Sequence, residues 1–349
     1  MKSQAPQRTG NTWDVEVDTA GCFQRSASVF RGALPNQAEA GRYHLYVSLA
    51  CPWAHRTLIA RALKGLEAAI TVDVVDHFLD DRGWTLQAQT PGATRDTVFG
   101  HERLRDIYRL TDPSYAGRIT VPVLLDKQTG RIVNNESSEI IRLLNTRFQA
   151  HALRPSLDLY PEHLRQRIDA INDWVYPLIN NGVYKAGFAK SQAAYDQAAR
   201  GVFVGLDRAE ALLAKSRFIA GPRITEADIR LVTTLFRFDV VYHTHFKCNL
   251  RRVIDYPNLW AYTRDLYQTP GIGDSLDLEH VKQHYFASHE ALNPCRIVPL
   301  GPEAPSFDAP HDRAALGDGH LFWSTSNSGT TRRPPEAAPP SRAGTVQRS

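Results

Sequence analysis

One of the chain's four cysteines stands where its sulfur could act as a nucleophile. In Tyr43–Gly65, YHLYVSLACPWAHRTLIARALKG, an apolar run from Tyr43 to Ala50 reads as a strand, and Cys51-Pro52-Trp53-Ala54 follows it. Pro52 suits the first helical position, where its missing N–H costs nothing. Leu58, Ile59, Ala62 and Leu63 then recur at helical spacing. Cys51 therefore lies at the positive end of a helix, where unpaired N–H groups and the helix dipole favour a thiolate over a thiol. The competing reading is a buried, inert cysteine, and the order strand, Cys, Pro favours the reactive one. Cys22 has no helix start beside it, and Cys248 and Cys295 read as structural. Four scattered cysteines form neither a disulfide framework nor a zinc-ligand pattern. His55 falls a full turn along the helix from Cys51 and reads as a surface or salt-bridged residue rather than a base. His243 and His245 have no third ligand in sequence reach, so no metal site is expected.

The elements that must position Cys51 come in order along the chain. Ile70–Asp76, ITVDVVD, is short and β-branched and reads as a second strand, parallel to the first across the helix. His77–Thr120 is long and irregular, with Asp80-Asp81-Arg82-Gly83-Trp84 and a helical patch near Glu102–Leu110; so long a loop is usually functional or disordered, and Trp84 argues against disorder. Arg118 to Asp126, RITVPVLLD, reads as a strand entered through Pro122, with a turn at 127–130 and a returning hairpin strand at 131–135. Glu136-Ser137-Ser138 opens a helix that buries Ile140, Ile141, Leu143 and Leu144, with Ser137 placed to cap and Glu136 near the positive end. From Tyr160 the pattern is all-helical: 161–181, then 191–215, then a helix entered through Thr225-Glu226-Ala227-Asp228, a capping box with Asp in place of Glu or Gln. Further helices start at Tyr256-Pro257 and span Leu278–Ser288. The expected organisation is a loosely packed extension at 1–42, an α/β domain at 43–150, an all-helical domain at 151–302, and a mostly disordered tail at 303–349.

Composition agrees with a two-domain chain. Its 349 residues include 42% hydrophobic ones, and 41 Lys and Arg against 37 Asp and Glu leave a formal charge of +4. That balance gives no nucleic-acid footprint. No apolar run suits a signal peptide or a bilayer span, so a cytoplasmic, reducing setting is expected.

The order β-α-β then β-β-α, with Cys51 at the first helix, Val121-Pro122 before a strand and Glu136-Ser137 at the last helix start, resembles the thioredoxin-like domain of glutathione transferases. The capping box after Gly221-Pro222 resembles their helical half. Cys-Pro-Trp-Ala-His-Arg, Asp-Arg-Gly-Trp at 81–84, Tyr-Pro-Leu-Ile-Asn-Asn-Gly-Val-Tyr-Lys-Ala-Gly-Phe at 176–188, His-Tyr-Phe-Ala-Ser-His at 284–289, Asn293-Pro294 and Ile297-Val298-Pro299 narrow it. Over about residues 12–302 the chain resembles the xi class, the glutathionyl-hydroquinone reductases.

This resemblance implies a fold, a thioredoxin-like α/β domain followed by an all-α domain, and a homodimer. It implies a cis bond before Pro122. Cys51 would be the nucleophile, and Tyr184 the proton donor or acceptor. Tyr242 and Tyr285 would line the pocket and depress the Cys51 pKa. Trp84, Arg118, Ile119, Thr120, Val121, Glu136 and Ser137 would bind glutathione, as co-substrate rather than permanent cofactor. The physics of an anion on the N–H groups at Ser137 agrees. The partners would be glutathione and glutathionylated hydroquinones, with no membrane and no nucleic acid. Ala54, three residues after Cys51, leaves no resolving thiol adjacent, against a dithiol mechanism. Two other readings share Cys51: an omega-like thiol transferase or dehydroascorbate reductase, which would not need Tyr184 and Tyr285, and a non-catalytic binding module.

Overall fold

The computed structural model describes residues 15–303 and 306–317. Strand β1 (Tyr43–Val47) is buried along its whole length, as its unbroken apolar run requires of a central strand. Helix α1 (Pro52–Lys64) comes next, with Pro52 in its first turn and Gly65 in the left-handed conformation at its end. Strand β2 (Ile70–Val74) pairs parallel to β1. The short strands β3 (Leu79–Asp80) and β4 (Gly83–Trp84) form a small antiparallel pair, and α2 (Leu104–Thr111) succeeds them. Strands β5 (Val123–Asp126) and β6 (Arg131–Asn134) complete a four-stranded sheet in the order β2-β1-β5-β6, and α3 (Ser137–Arg147) packs beside α1. Pro122 precedes β5 rather than opening it.

Three buried carboxylates order the long connection between β2 and α2. Asp76 accepts from the N–H groups of Gln87, Gln89 and Thr90 and from the Thr85 hydroxyl. Asp73 accepts from Thr97 N–H and from the Thr94 hydroxyl. Asp96 accepts from the Tyr46 hydroxyl and from the N–H groups of Val98, Phe99 and His101. A loop rich in unpaired backbone donors is thus wrapped on acceptors, each bond to a charged group contributing about 1.5–3 kcal/mol.

The helical part begins as one expected helix but contains a break. Helix α4 (Arg165–Trp174) runs into a π-helical stretch, Val175–Asn180, before α5 (Gly182–Gly187). Pro177 lies in that stretch and has no N–H to continue an α ladder. Asn181 N–H reaches back five residues to the Tyr176 carbonyl at 2.8 Å. Helix α6 (Gln192–Leu213) is capped by the Ser191 hydroxyl. Helix α7 (Glu226–Arg237) carries the full capping box and also widens, at Phe238–Tyr242, into π geometry. Helices α8 (Pro257–Gln268) and α9 (Leu278–Ser288) complete the helical part.

One expectation is corrected. The N-terminal extension packs firmly from residue 15 on. Phe23, Leu34 and Ala38 are buried, Gly32 N–H bonds the Val133 carbonyl at 2.8 Å, and Arg31 pairs with Glu139. Phe30 packs on Tyr108 and Tyr115. The start of the tail is also packed: Phe307 is buried against Tyr267 and Trp260, and the buried Arg313 donates to the carbonyls of Leu213, Ser216 and Arg217. A Pro- and Gly-rich composition hid two anchors that bury well. The expectations for 1–14, 304–305 and 318–349 lie outside the described residues.

Asp228 of the capping box is fully buried and accepts from Ile219 N–H, Thr225 N–H and the Tyr262 hydroxyl. Asp228→Ala leaves these donors unpaired in the core. Urea denaturation should show a loss of about 3 kcal/mol or more; a loss too small to resolve would mean the donors find other acceptors.

Candidate functional site

Cys51 is the N-cap of α1, with extended backbone angles, so its sulfur faces the N–H groups of Trp53 and Ala54. The thiol donates to the Val121 carbonyl at 3.6 Å, and the bond between Val121 and Pro122 is cis. The direction of its pKa differs from the expectation. Burial pushes the thiol up, and this outweighs the N–H groups of Ala54 and Trp53 and the positive charges of Arg237 and Arg25, which pull it down. The helix-terminus effect is present, but it is worth only about 0.3–1 kcal/mol, less than desolvation of a thiolate costs in this site.

The turn that presents Cys51 is held from the helical part. Arg237, fully buried at the end of α7, donates from Nε to the Ala50 carbonyl at 2.8 Å and from Nη2 to the Leu49 carbonyl at 2.9 Å. Its Nη1 lies 3.1 Å from His55 Nδ1. A guanidinium only donates, so His55 Nδ1 accepts, and its proton sits on Nε2, 2.9 Å from Ser275 Oγ. His55 is therefore a buried, neutral structural histidine, its pKa pushed far down by burial and then by Arg237, not the surface residue expected.

Three phenols line up beyond the cysteine. Tyr184 Oη lies 2.6 Å from Tyr285 Oη, and Tyr285 Oη lies 2.9 Å from Tyr242 Oη. They come from α5, α9 and the π stretch after α7, elements far apart in sequence. Burial raises all three above the ordinary phenol value; for Tyr184 the nearby Cys51 adds to it. They stay protonated and can donate.

The remaining expected residues divide. The run Arg118–Val121 is pinned by tyrosines: Tyr115 Oη donates to the Arg118 carbonyl at 2.9 Å, and Tyr108 Oη to the Thr120 carbonyl at 2.8 Å, while Ile119 and Val121 are buried. Glu136, not Ser137, caps α3, accepting from Ser138 N–H at 3.0 Å. A carboxylate reaches that N–H as readily as a hydroxyl, which sequence position alone did not distinguish. Burial acts to raise Glu136, but Ser138, Ser28 and Arg56 outweigh it and hold the carboxyl below its ordinary value. Ser137 Oγ instead faces Arg56 Nη1 at 3.4 Å. Trp84 is buried and stacks on His284 at 4.9 Å between centroids, so it is fixed by α9.

Sequence reasoning missed several residues. Ser28 of the extension donates to Glu136 Oε2 at 3.0 Å. Arg56 is buried, donates to Asn180 Oδ1 at 2.9 Å and lies over the Trp53 ring at 4.5 Å. Arg25 of the extension lies over Trp53 and Tyr184 at 4.8 and 4.6 Å. Ser28 and Arg25 stand in no local pattern that marks them, whereas Arg56 closes the Cys-Pro-Trp-Ala-His-Arg motif but was given no role there. Of the other cysteines, Cys248 is buried and Cys295 is exposed, so Cys295 is not the structural residue expected. His245 Nε2 lies 3.1 Å from His289 Nδ1.

Comparison with known proteins gives matching family models for the glutathione S-transferase N-terminal domain over residues 50–147 and C-terminal domain over 192–265. The chain is 51% identical over 315 residues to glutathionyl-hydroquinone reductase YqjG of Escherichia coli (strain K12), covering 87% of this chain and 95% of that protein. It is 47% identical to glutathionyl-hydroquinone reductase PcpF of Sphingobium chlorophenolicum, covering 84% and 94%. Among solved structures, the glutathione-S-transferase Xi from Phanerochaete chrysosporium superposes with a TM-score of 0.83 at 48% identity, covering 87% of this chain and 99% of that one. The glutathione-bound YqjG structure gives 0.77 at 53% identity, covering 79% and 89%.

The electrostatics of Cys51 are directly measurable. Burial disfavours the charged thiolate, so in the ligand-free protein the alkylation rate of Cys51 by iodoacetamide should keep rising with pH beyond the midpoint of free cysteine. A midpoint below that of free cysteine would show that the N–H groups and arginines win.

Proposed function

The chain belongs to the xi class of the glutathione transferases, the glutathionyl-hydroquinone reductases, and from that premise we propose how its residues carry out the reaction. It reduces glutathionyl-hydroquinones to hydroquinones at the expense of a second glutathione. The observation that carries this reading is the Cys51 thiol on the Val121 carbonyl, with a row of three hydrogen-bonded phenols whose first member, Tyr184, feels Cys51.

Cys51 sulfur attacks the glutathione sulfur of the conjugate. A disulfide forms between Cys51 and glutathione, and the bond from sulfur to the ring carbon breaks. The ring carbon takes the electron pair and is reduced; it gains a proton from Tyr184, which is replenished along Tyr285 and Tyr242. The thiol's own proton balances the one that the ring gains, so a resting state that is protonated fits the stoichiometry. A second glutathione then attacks the mixed disulfide, releases oxidised glutathione and restores the thiol.

Glutathione is held in this reading by the Val121 backbone, by Arg118 and by Glu136 with the positive end of α3, which favours a carboxylate. Trp84, Ile119, Thr120 and Ser137 complete that cradle. The enzyme works as a homodimer, as the family resemblance implies, and in a reducing cytoplasm, because a nucleophilic thiol and reduced glutathione both need one. Among the described residues no helix is long and apolar enough to cross a membrane.

Two substitutions test this. Cys51→Ser should abolish reductase turnover while glutathione still binds, and mass spectrometry should find a glutathione adduct on the native protein alone. Tyr184→Phe should lower kcat by about a hundredfold or more, the usual share of a positioned proton donor. It should leave exchange of a small glutathione mixed disulfide nearly untouched. Equal loss in both assays would favour a general thiol transferase.

A further inference from the structure

The extension brings into the site a cation that the reductase chemistry does not use. Phe23 is buried against Phe188 and anchors the segment, and Arg25 lies two residues later. Arg25 Nε donates to Asn181 Oδ1 at 2.6 Å, at the junction between the π stretch and α5. Its guanidinium lies over three rings, Tyr184 at 4.6 Å, Trp53 at 4.8 Å and Phe23 at 5.3 Å. The plane of the group is thus fixed by aromatic faces and by one bond from Nε.

Nε is taken by Asn181, and Nη2 is closed in without a hydrogen-bond partner among the described residues, so an oxygen of a ligand would meet the group at Nη1. A guanidinium only donates, and a bond from it to an oxygen is charge-assisted. The charge around it is also positive. Arg118 is close enough that Arg25 adds to the burial that pulls its pKa down, while Glu16 of the extension works the other way. Cys51 feels Arg25 as well. Two guanidiniums, a thiol and a phenol therefore converge where the ring of a glutathione conjugate would lie if Tyr184 is to reach its carbon.

We propose that Arg25 is a specificity-determining residue of the reductase site, its guanidinium donating to a ring oxygen of the hydroquinone carried on glutathione. The inference rests on the reductase reading and adds the reason for a hydroquinone rather than any aryl group. The oxygens flanking the broken bond are what distinguish these conjugates from simple aryl thioethers. A flat cation whose plane is set by Trp53 and Tyr184 can aim its donors at such an oxygen. It also places the selectivity filter on the N-terminal extension, outside both transferase-family segments.

Binding separates this from the chemistry, because it needs no turnover. Glutathionyl-hydroquinone, S-phenylglutathione and glutathione are titrated into full-length Cys51→Ser protein, and into the same protein carrying Arg25→Gln or Arg25→Lys. S-phenylglutathione has the sulfur–ring bond and no ring oxygens. Arg25→Gln should weaken glutathionyl-hydroquinone by about tenfold or more, the worth of one charge-assisted hydrogen bond. The other two ligands should bind as before, and Arg25→Lys should recover part of the loss. Equal weakening of all three would overturn the proposal, since Arg25 would then serve glutathione's carboxylates or merely dock the extension. Unchanged binding of the hydroquinone conjugate would overturn it too. Turnover by the native enzyme, measured separately, decides the reductase reading on its own.

Discussion

A single buried guanidinium joins the two halves of the site. Arg237 leaves the end of α7, crosses to the turn before α1 and takes both the Leu49 and the Ala50 carbonyls. Those carbonyls belong to the residues just before Cys51, so the sulfur's position depends on a bond made by the helical part. The same group orders His55 and, through it, Ser275. Burying an arginine is expensive unless its donors are met, and here the carbonyls of a tight turn meet them. Cys51 and the three phenols are thereby referred to one framework.

Around that framework stand several cations. Arg237, Arg25 and the buried Arg56 act on Cys51, Glu136 faces Arg56, and Glu16 acts on Arg118. A substrate bearing carboxylates and polarisable oxygens suits such a field. Burial favours the protonated forms of the phenols and of the thiol. The extension contributes to both ends, with Ser28 on Glu136 and Arg25 on Tyr184.

Two π-helical stretches position two of the three phenols. One ends just before Asn181 and sets the start of α5, which bears Tyr184; the other carries Tyr242 itself. Each extra residue in a helical turn rotates the residues beyond it and frees a carbonyl, which is why such stretches recur at functional sites. With Tyr285 supplied by α9, they bring three hydroxyls into a continuous row.

The sequence alone determined those features whose cause is local. Pro52 after Cys51 placed a helix start, the buried apolar run at 43–47 made a central strand, Thr225 and Asp228 made a cap, and Leu278–Ser288 formed a helix with the expected ends. The family motifs named the residues that meet, because motif positions are short and distinctive. Tertiary structure decided everything that depends on partners distant in the chain. The sign of the Cys51 shift depends on how much protein surrounds the sulfur, which no helix-terminus rule contains. His55 is buried because Arg237 and Ser275 receive it, and Glu136 displaces Ser137 as cap because Ser28 and Arg56 support its charge. Arg25 carries no signal in its neighbourhood; its place is fixed by an asparagine 156 residues away. Spacing records the requirements of a residue's own helix or strand, whereas burial and charge are sums over the whole fold.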